Sequence, residues 1–324
     1  GDHRDLHSFP TRRSSRSFLS GGVNYDNLTN LLSMAGLLFF TRVINKKDFV
    51  LNSALWMVCV SIGTLVKYTI LPLALIMLIV WIIFILKNRY FLSFNNFWTT
   101  KIITIFVILI ISLLGNFLIY GVNIIKFGSI LPECKQILNS DQCELSRFAL
   151  RHEEIGLEKK MTIKESIELG YPNPVKYFFD GWIDFMLYRI YGILGHMSYF
   201  PSHIIIFYKL LYFWVILLGV RYFEKPSFLI SSLLLIIPFY ALVLFIKNYD
   251  SELIYGFKQI ALQGRYLFPV IGLIYVLVTH VISVVKSKPL KYLTLVTILL
   301  LFFIGGPIKF ITKFDLIFIG WFLT

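Results

Sequence analysis

Residues 259–269 read Gln-Ile-Ala-Leu-Gln-Gly-Arg-Tyr-Leu-Phe-Pro and separate two long apolar runs, residues 228–246 and 267–285. Each run is long enough to cross a bilayer, which takes about 20 mostly apolar residues in a helix. Arg265 therefore lies at a membrane boundary, where its planar set of donors suits a phosphate or a carboxylate. An arginine that only reaches the lipid headgroups is the competing interpretation.

Two neighbours of Arg265 indicate a turn that leads into a helix. Gly264 lets the backbone approach a ligand closely, and Pro269 suits the first turn of the helix that follows. Tyr266 either orients a phosphate or anchors the helix at the interface. The stretch thus combines an anion-binding side chain with a tight entry into the membrane.

Composition assigns the chain to the membrane proteins. Hydrophobic residues make up 57% of its 324 residues and aromatic residues 17%. The net charge of +13 does not indicate nucleic-acid binding, because no basic face with interleaved contact residues is present. Much of the positive charge lies in short loops between apolar runs, which is the pattern that sets membrane topology.

Eight apolar runs predict membrane-spanning helices. They are residues 28–44, 50–66, 69–86, 102–120, 204–220, 228–246, 267–285 and 290–304. Residues 309–324 are a candidate for a ninth span. We predict an all-α fold, a polytopic transmembrane helix bundle of eight or nine spans with a helical insertion on its outer face.

The charges of the loops predict the orientation of the bundle. The basic residues of alternate loops are Arg42, Lys46, Lys47, Lys87, Arg89, Lys101, Arg221, Lys225, Lys286, Lys288 and Lys291, opposed by Asp48 and Glu224. The positive-inside rule places these loops in the cytoplasm. The outer face then carries Asp26, Lys67, the insertion, Asp250, Glu252 and Arg265. We predict a multi-pass protein of the cell membrane whose active face is extracytoplasmic.

The chain divides into four blocks in the sequence. Residues 21–120 form a first transmembrane block, residues 121–200 an extracytoplasmic insertion, and residues 201–324 a second transmembrane block. Residues 1–20 are interpreted as a non-native tail, since residues 7–15 resemble the translation of a sequencing-adapter oligonucleotide. An ordinary basic N-terminal tail is the alternative.

The insertion has the composition of a folded segment. The basic and acidic residues of its part 121–176 balance, and residues 159–169 show apolar positions at helical spacing. Residues 177–199 are aromatic and only half apolar, which predicts a helix lying in the interface. Cys134 and Cys143 lie close together in an oxidising compartment and predict a disulfide, with two free thiols as the alternative.

Lys67 interrupts a nearly continuous apolar stretch between two spans. An ionisable residue in such a place is a functional hypothesis by default, here for an anionic headgroup, and simple snorkelling competes with it. No phosphate loop, nucleophile elbow or His/Cys set with zinc spacing is present in the sequence. The sequence therefore assigns no metal ligands and indicates no resident cofactor, and it leaves metal dependence open.

Three short motifs, taken together, resemble a known family. They are Asn24-Tyr25-Asp26-Asn27 at the start of a span, Lys67-Tyr68 between two spans, and Gln263-Gly264-Arg265-Tyr266 before a late span. Their order is similar to that in GT-C-type membrane glycosyltransferases, in a bacterial branch related to the protein mannosyltransferases and aminoarabinose transferases. The outer loop with Cys134 and Cys143 also looks like that branch.

The resemblance implies transfer of a sugar from a polyprenyl-phosphate donor to a lipid, glycan or protein acceptor. It implies a donor-phosphate site formed by Lys67, Gln263, Arg265 and Tyr266. The family's catalytic acid usually lies in a loop after the first span, which has no counterpart here. Asp26 is a candidate for that role, although it matches a different acidic position. We therefore expect an N-terminally truncated chain that lacks activity by itself.

Two other functions compete with this one. A transporter or lipid flippase would place ionisable residues near the bilayer midplane, often at broken helices or repeats. Here the mid-span polar residues are chiefly Asn52, Asn116 and His280. A non-catalytic membrane scaffold would use the insertion to bind a partner. The expected partners are the bilayer and a lipid-linked sugar, with the oligomeric state left open.

Overall fold

A computed structural model gives the architecture of most of the chain. The residues that it describes are 25–88, 99–132, 134–144, 161–170, 173–191, 193–195, 198–199, 202–255, 262, 264–305 and 308. The tail at residues 1–20, Gln263 and the candidate ninth span at residues 309–324 lie outside the described residues.

Helices form nearly all of the described structure. In chain order they are α1 Tyr25–Ile44, α2 Phe49–Val66, α3 Leu71–Lys87, α4 Thr100–Asn116, α5 Val122–Phe127, α6 Cys134–Ile137, α7 Ser140–Glu144, α8 Ile163–Glu168, α9 Pro174–Tyr177, α10 Ile183–Tyr191, α11 Ser202–Tyr222, α12 Phe228–Tyr255, α13 Phe268–Val284 and α14 Lys288–Gly305. The 3-10 turns are Tyr68–Ile70 and Gly264–Leu267, and the π-helical turns are Phe117–Gly121 and Phe178–Trp182. The strands β1 Ile193–Gly195 and β2 Ser198–Tyr199 form a short antiparallel pair.

Seven helical segments within the described residues are long and apolar enough to cross a membrane. They are Asp26–Ile44, Phe49–Val66, Tyr68–Lys87, Thr100–Phe127, Ile204–Tyr222, Phe228–Leu253 and Gly264–Val284. Each matches one of the predicted spans, and the eighth predicted span lies within α14. The all-α, polytopic class is therefore confirmed.

The chain forms two compact units. The first, called the Arg265 unit, comprises residues 1–28, 181–226 and 263–324. The second, called the Lys67 unit, comprises residues 29–180 and 227–262. The units cut across the four sequence blocks, because α12 follows α11 in sequence but belongs with the earlier spans.

In the Lys67 unit, α2 packs on α4 and α3 packs on α12. Lipid tails are as apolar as leucine, so membrane helices associate through close packing and polar contacts rather than through the hydrophobic effect. Gly36 on α1 allows close packing against α2, since a Cβ there would lie 3.1 Å from Val60 Cγ1. Aromatic rings fill the adjoining space, with the Phe40 and Trp56 centroids 5.5 Å apart.

The Arg265 unit has a small core of its own where α11 packs on α13. Its buried residues are Val215, Leu218, Val281 and Val285. α14 joins this core through a hydrogen bond of 2.9 Å from Trp214 Nε1 to Thr294 Oγ1. The core forms because the buried positions of α11 and α13 recur at helical spacing.

The described part of the insertion is folded, and its residues up to Asp180 belong to the Lys67 unit. Cys134 and Cys143 form a disulfide with their α-carbons 5.8 Å apart. α8 covers residues 163–168 of the helix predicted for residues 159–169. It begins with a capping box of Thr162 and Glu165. Ser166 on α8 is buried and its hydroxyl lies 3.1 Å from the Tyr249 hydroxyl of α12.

The single interfacial helix predicted for residues 177–199 is wrong in its extent. The structure has α9, a π-helical turn and α10 up to Tyr191, followed by the β1–β2 pair. Gly181 lies in the π-helical turn, and Gly195 lies in β1 after α10. Glycine is among the weakest helix formers, so these glycines favour a break in the helix that the aromatic composition predicted to be continuous.

Candidate functional site

The turn that carries Arg265 is built by the residues on both sides of it. Gly264–Leu267 form one 3-10 turn, and α13 starts at Phe268 with a proline in its first turn. Pro269 fits there because the N–H that it lacks would have no partner inside the helix. The predicted entry into this span is therefore confirmed.

Gly264 lies close to the backbone of α10. A Cβ on Gly264 would lie 2.7 Å from Ile190 Cγ1 and 2.8 Å from the carbonyl carbon of Arg189. These atoms belong to α10, so the glycine permits close packing of the turn on α10. The close approach of this backbone to a ligand stays a prediction.

Arg265 forms an ion pair with Asp26 at the start of α1. Its Nη1 atom lies 3.2 Å from Asp26 Oδ2, and the two side chains are 43% and 13% exposed respectively. A carboxylate in the first turn also suits the positive end of a helix dipole. A guanidinium carries five N–H donors, so an arginine held by one carboxylate through Nη1 can bind a second anion.

Tyr266 lies beside the arginine in the same turn. The guanidinium carbon of Arg265 is 5.9 Å from the centre of the Tyr266 ring, within the range of a cation–π interaction. The structure therefore brings Asp26, Arg265 and Tyr266 together. Gln263 is also predicted to belong to the donor-phosphate site, and it lies outside the described residues.

Lys67 marks a break between two spans, as predicted. α2 ends at Val66, Lys67 has an extended backbone with φ −155° and ψ 121°, and the turn Tyr68–Ile70 follows. The lysine side chain is half-buried. Lys67 belongs to the Lys67 unit and Arg265 to the other, so their convergence on one donor site remains a prediction.

The sequence did not predict the ion pair between Lys209 and Asp184. Lys209 lies inside the span of α11 and contacts Asp184 on α10. Asp184 lies in the segment predicted to be interfacial, and the span predicted for residues 204–220 includes Lys209 without a partner. The charge of Lys209 could have predicted this pair, because an ionisable residue within a span needs a partner.

The carboxylates that the sequence placed on the outer face have different surroundings. Asp250 is exposed and lies 4.0 Å from Lys247, whereas Glu252 is 1% exposed on the last turns of α12. Burial raises the pKa of the Tyr177 hydroxyl, and the charge of Glu252 and then Tyr249 raise it further. Glu252 therefore lies in the contact between the insertion and α12.

Among the residues that the structure describes, no three or more His, Cys, Asp or Glu side chains group in a way that could hold a metal ion. Comparison of the chain with protein-family models, curated proteins and solved structures found no match.

Proposed function

We propose that this protein is a GT-C-type membrane glycosyltransferase that uses a polyprenyl-phosphate-linked sugar as donor. Its acceptor is a lipid, glycan or protein at the extracytoplasmic face. The observation that carries the proposal is the Asp26–Arg265 ion pair at the head of α13, with Tyr266 beside it. An exposed arginine in a fixed orientation at the end of a candidate span is well suited to a lipid-linked phosphate.

The proposed sugar transfer is favoured by a cation beside the donor phosphate. When the acceptor oxygen attacks the anomeric carbon, the bond from that carbon to the phosphate oxygen breaks and the bonding electrons leave with the phosphate. Negative charge grows on the phosphate oxygens, and preorganised donors lower the energy of that transition state. Arg265, Tyr266 and Lys67 are the residues that we assign to this stabilisation.

Asp26 is assigned as the residue that orients Arg265. Its carboxylate faces the guanidinium at 3.2 Å and is largely buried, so it limits the directions that the arginine can take. A carboxylate in this position also leaves Arg265 partly neutralised when no donor is bound. The acceptor's proton must go to a base of suitable pKa, and we do not assign that base to Asp26.

The polar residues inside the spans support this proposal over transport. Asn116 Nδ2 donates to Ser61 O at 2.8 Å, to Ser61 Oγ at 3.0 Å and to Ser112 O at 2.8 Å. Asn52 Nδ2 donates to Lys47 O at 2.6 Å. These groups bind other parts of the protein, whereas a transport pathway needs polar groups that receive a substrate.

The depth of Lys209 also argues against a transport site at the midplane. Lys209 follows the first residue of its candidate span, Ile204, by five positions. At about 1.5 Å per residue this puts it roughly 8 Å into a hydrocarbon layer about 30 Å thick. A lysine at that depth reaches the interface with its side chain.

Binding of the lipid phosphate tests the proposal directly. The protein is placed in nanodiscs of zwitterionic lipid and titrated with a C55 polyprenyl phosphate, with bound lipid counted by native mass spectrometry. We expect Arg265→Ala to lower the affinity about tenfold or more, because a charged hydrogen bond contributes about 1.5–3 kcal/mol. Arg265→Lys should keep part of the affinity, since lysine retains the charge but loses the planar set of donors.

Lys286→Ala is the matched control for Arg265→Ala. Lys286 also forms an exposed ion pair, at 2.6 Å to Glu224, and it follows α13 whereas Arg265 precedes it. Its removal should leave polyprenyl-phosphate binding unchanged. Equal losses in the two variants would reject a specific phosphate site at Arg265.

Transfer itself is measured in membranes of cells that express the natural gene. A lipid extract containing radiolabelled polyprenyl-phosphate sugars serves as the donor, and label in endogenous acceptors is counted. We expect transfer above that of vector-only membranes and its loss in Arg265→Ala. Equal label in expressing and vector-only membranes would overturn the proposed function.

A further inference from the structure

The backbone around Lys67 contains a helix end that needs hydrogen-bond partners. α2 ends at Val66, and Lys67 N–H donates to Gly63 O at 2.9 Å. The other carbonyls of the last turn of a helix have no partner within that helix. Those carbonyls that lie within the hydrocarbon layer must be satisfied by the protein, because lipid offers no donors.

Two tyrosine hydroxyls from other spans supply partners on both sides of this break. Tyr120 donates to Thr64 O at 2.6 Å, and Tyr240 donates to Thr69 O at 3.2 Å. The two carbonyls lie three residues before and two residues after Lys67. All of these residues belong to the Lys67 unit.

Irregular backbone accompanies both tyrosines. Tyr120 lies in the π-helical turn Phe117–Gly121 that follows α4, and Tyr240 follows Pro238 inside α12. A π-helical turn shifts the side chains that follow it around the helix axis, and such turns are frequent at functional sites. Proline inside a helix removes a backbone hydrogen bond and favours a kink.

The segment just before the break is held to α4 as well. Thr64 Oγ1 donates to Asn116 Oδ1 at 2.6 Å, and Asn116 donates to Ser61 on the preceding turn of α2. The chain then folds back tightly after the break, because a Cβ on Gly63 would lie 2.6 Å from Ile70 Cδ1. The backbone on either side of Lys67 is therefore held by several independent contacts.

We infer that Tyr120 and Tyr240 are positioning residues that hold the helix break in the shape that presents Lys67 to the donor phosphate. This inference rests on the proposed function. A lysine has a long flexible side chain with no rigid geometry of its own, so its placement depends on the backbone that carries it. Electrostatic stabilisation requires charges that are already in place before the reaction.

A double-mutant cycle in the same nanodisc titration tests the inference. Tyr120→Phe and Tyr240→Phe remove only the hydroxyls, and each is combined with Lys67→Gln. We expect each Phe variant to weaken C55 polyprenyl-phosphate binding about threefold to tenfold in the presence of Lys67 and to have no effect with Lys67→Gln. That coupling is the readout which a purely structural role would not produce.

Tyr208→Phe is the matched control for the two Phe variants. Its hydroxyl also donates to a backbone carbonyl, Leu301 O, at 3.3 Å, and that bond lies in the Arg265 unit. It should leave binding unchanged with or without Lys67. Each Phe variant tests the inference by itself, so misfolding of one does not remove the test.

The outcomes separate the inference from the proposed function. Equal weakening by the Phe variants with Lys67 and with Lys67→Gln overturns the inference, as does the absence of any weakening. If Lys67→Gln has no effect while Arg265→Ala weakens binding, the inference fails and the proposed function stands. If neither variant weakens binding, both fail.

Discussion

At the scale of single residues, Gly264 and Arg265 are neighbours in one turn yet contact different parts of the Arg265 unit. Gly264 packs on the backbone of α10, whereas Arg265 pairs with Asp26. The glycine therefore sets the distance between the turn and α10, and the arginine supplies the charge. Replacement of Gly264 should therefore lower the stability of the fold, whereas replacement of Arg265 should weaken anion binding.

Gly264→Ala tests the structural part of this division. The added Cβ would come within 2.9 Å of Ile190 N as well as the other α10 atoms, and a backbone atom cannot move aside like a flexible side chain. We expect a loss of about 1–3 kcal/mol in the free energy of unfolding, as for other overpacked sites. The thermal unfolding midpoint in detergent measures the effect.

Gly219→Ala is the control for Gly264→Ala in the same unit. A Cβ on Gly219 would meet its nearest neighbours, on Phe223 and Val281, at 3.5 Å, which is ordinary van der Waals contact. Alanine is also the better helix former, so we expect no loss or a gain of about 0.4–1 kcal/mol. A Gly264→Ala variant as stable as Gly219→Ala would contradict the close packing on α10.

At the scale of elements, the apolar runs predicted where the spans lie but not where the helices end. The fourth predicted span, residues 102–120, continues through a π-helical turn to Phe127. The sixth, residues 228–246, continues to Tyr255 and brings Glu252 into the helix. Hydropathy ends a span where polar residues begin, but a helix continues as long as its backbone hydrogen bonds can form.

The capping box of α8 gives a prediction about pH. Glu165 accepts hydrogen bonds from Thr162 N at 2.6 Å and from Thr162 Oγ1 at 2.9 Å, and these hold the pKa of the Glu165 carboxyl below its ordinary value. We expect Thr162→Ala to raise that pKa towards the ordinary value, because one of the two bonds is lost. NMR titration of the glutamate carboxyl carbons measures the shift.

The sign of the pH effect follows from the lowered pKa. The capping box stabilises α8 above the pKa that Glu165 has in the unfolded chain, and its contribution is lost as the pH falls through the lower pKa of the folded state. An unchanged pKa for Glu165 in Thr162→Ala would show that the box does not form.

At the scale of the whole molecule, the orientation in the membrane remains a prediction of the loop charges. Positive charge gathers in the loops after α1, α3, α11 and α13. The disulfide of Cys134 and Cys143 agrees with an outer insertion, since disulfides persist in oxidising compartments.

Cysteine labelling tests this orientation. In a Cys59→Ser background, Lys47→Cys should react with a membrane-impermeant maleimide only after the cells are permeabilised, whereas Leu131→Cys should react in intact cells. Both positions are exposed, so burial does not limit the reaction. Labelling of Lys47→Cys in intact cells would reverse the topology and with it the outer location of Arg265.

The sequence by itself determined the class of the protein, the places of seven spans, the break at Lys67 and the helix start at Pro269. Hydropathy, helix length and proline placement act over a few neighbouring residues, so the chain displays them directly.

Only the tertiary structure decided which distant groups meet. Asp26 and Arg265 pair from opposite ends of the chain, Tyr120 and Tyr240 reach the break at Lys67, and Gly264 meets α10. Such contacts depend on how whole helices pack, and packing is set by the shapes of many side chains at once. Periodicity in one segment carries no record of its partner, which is why the sequence can propose residues for a site but not the contacts that they make.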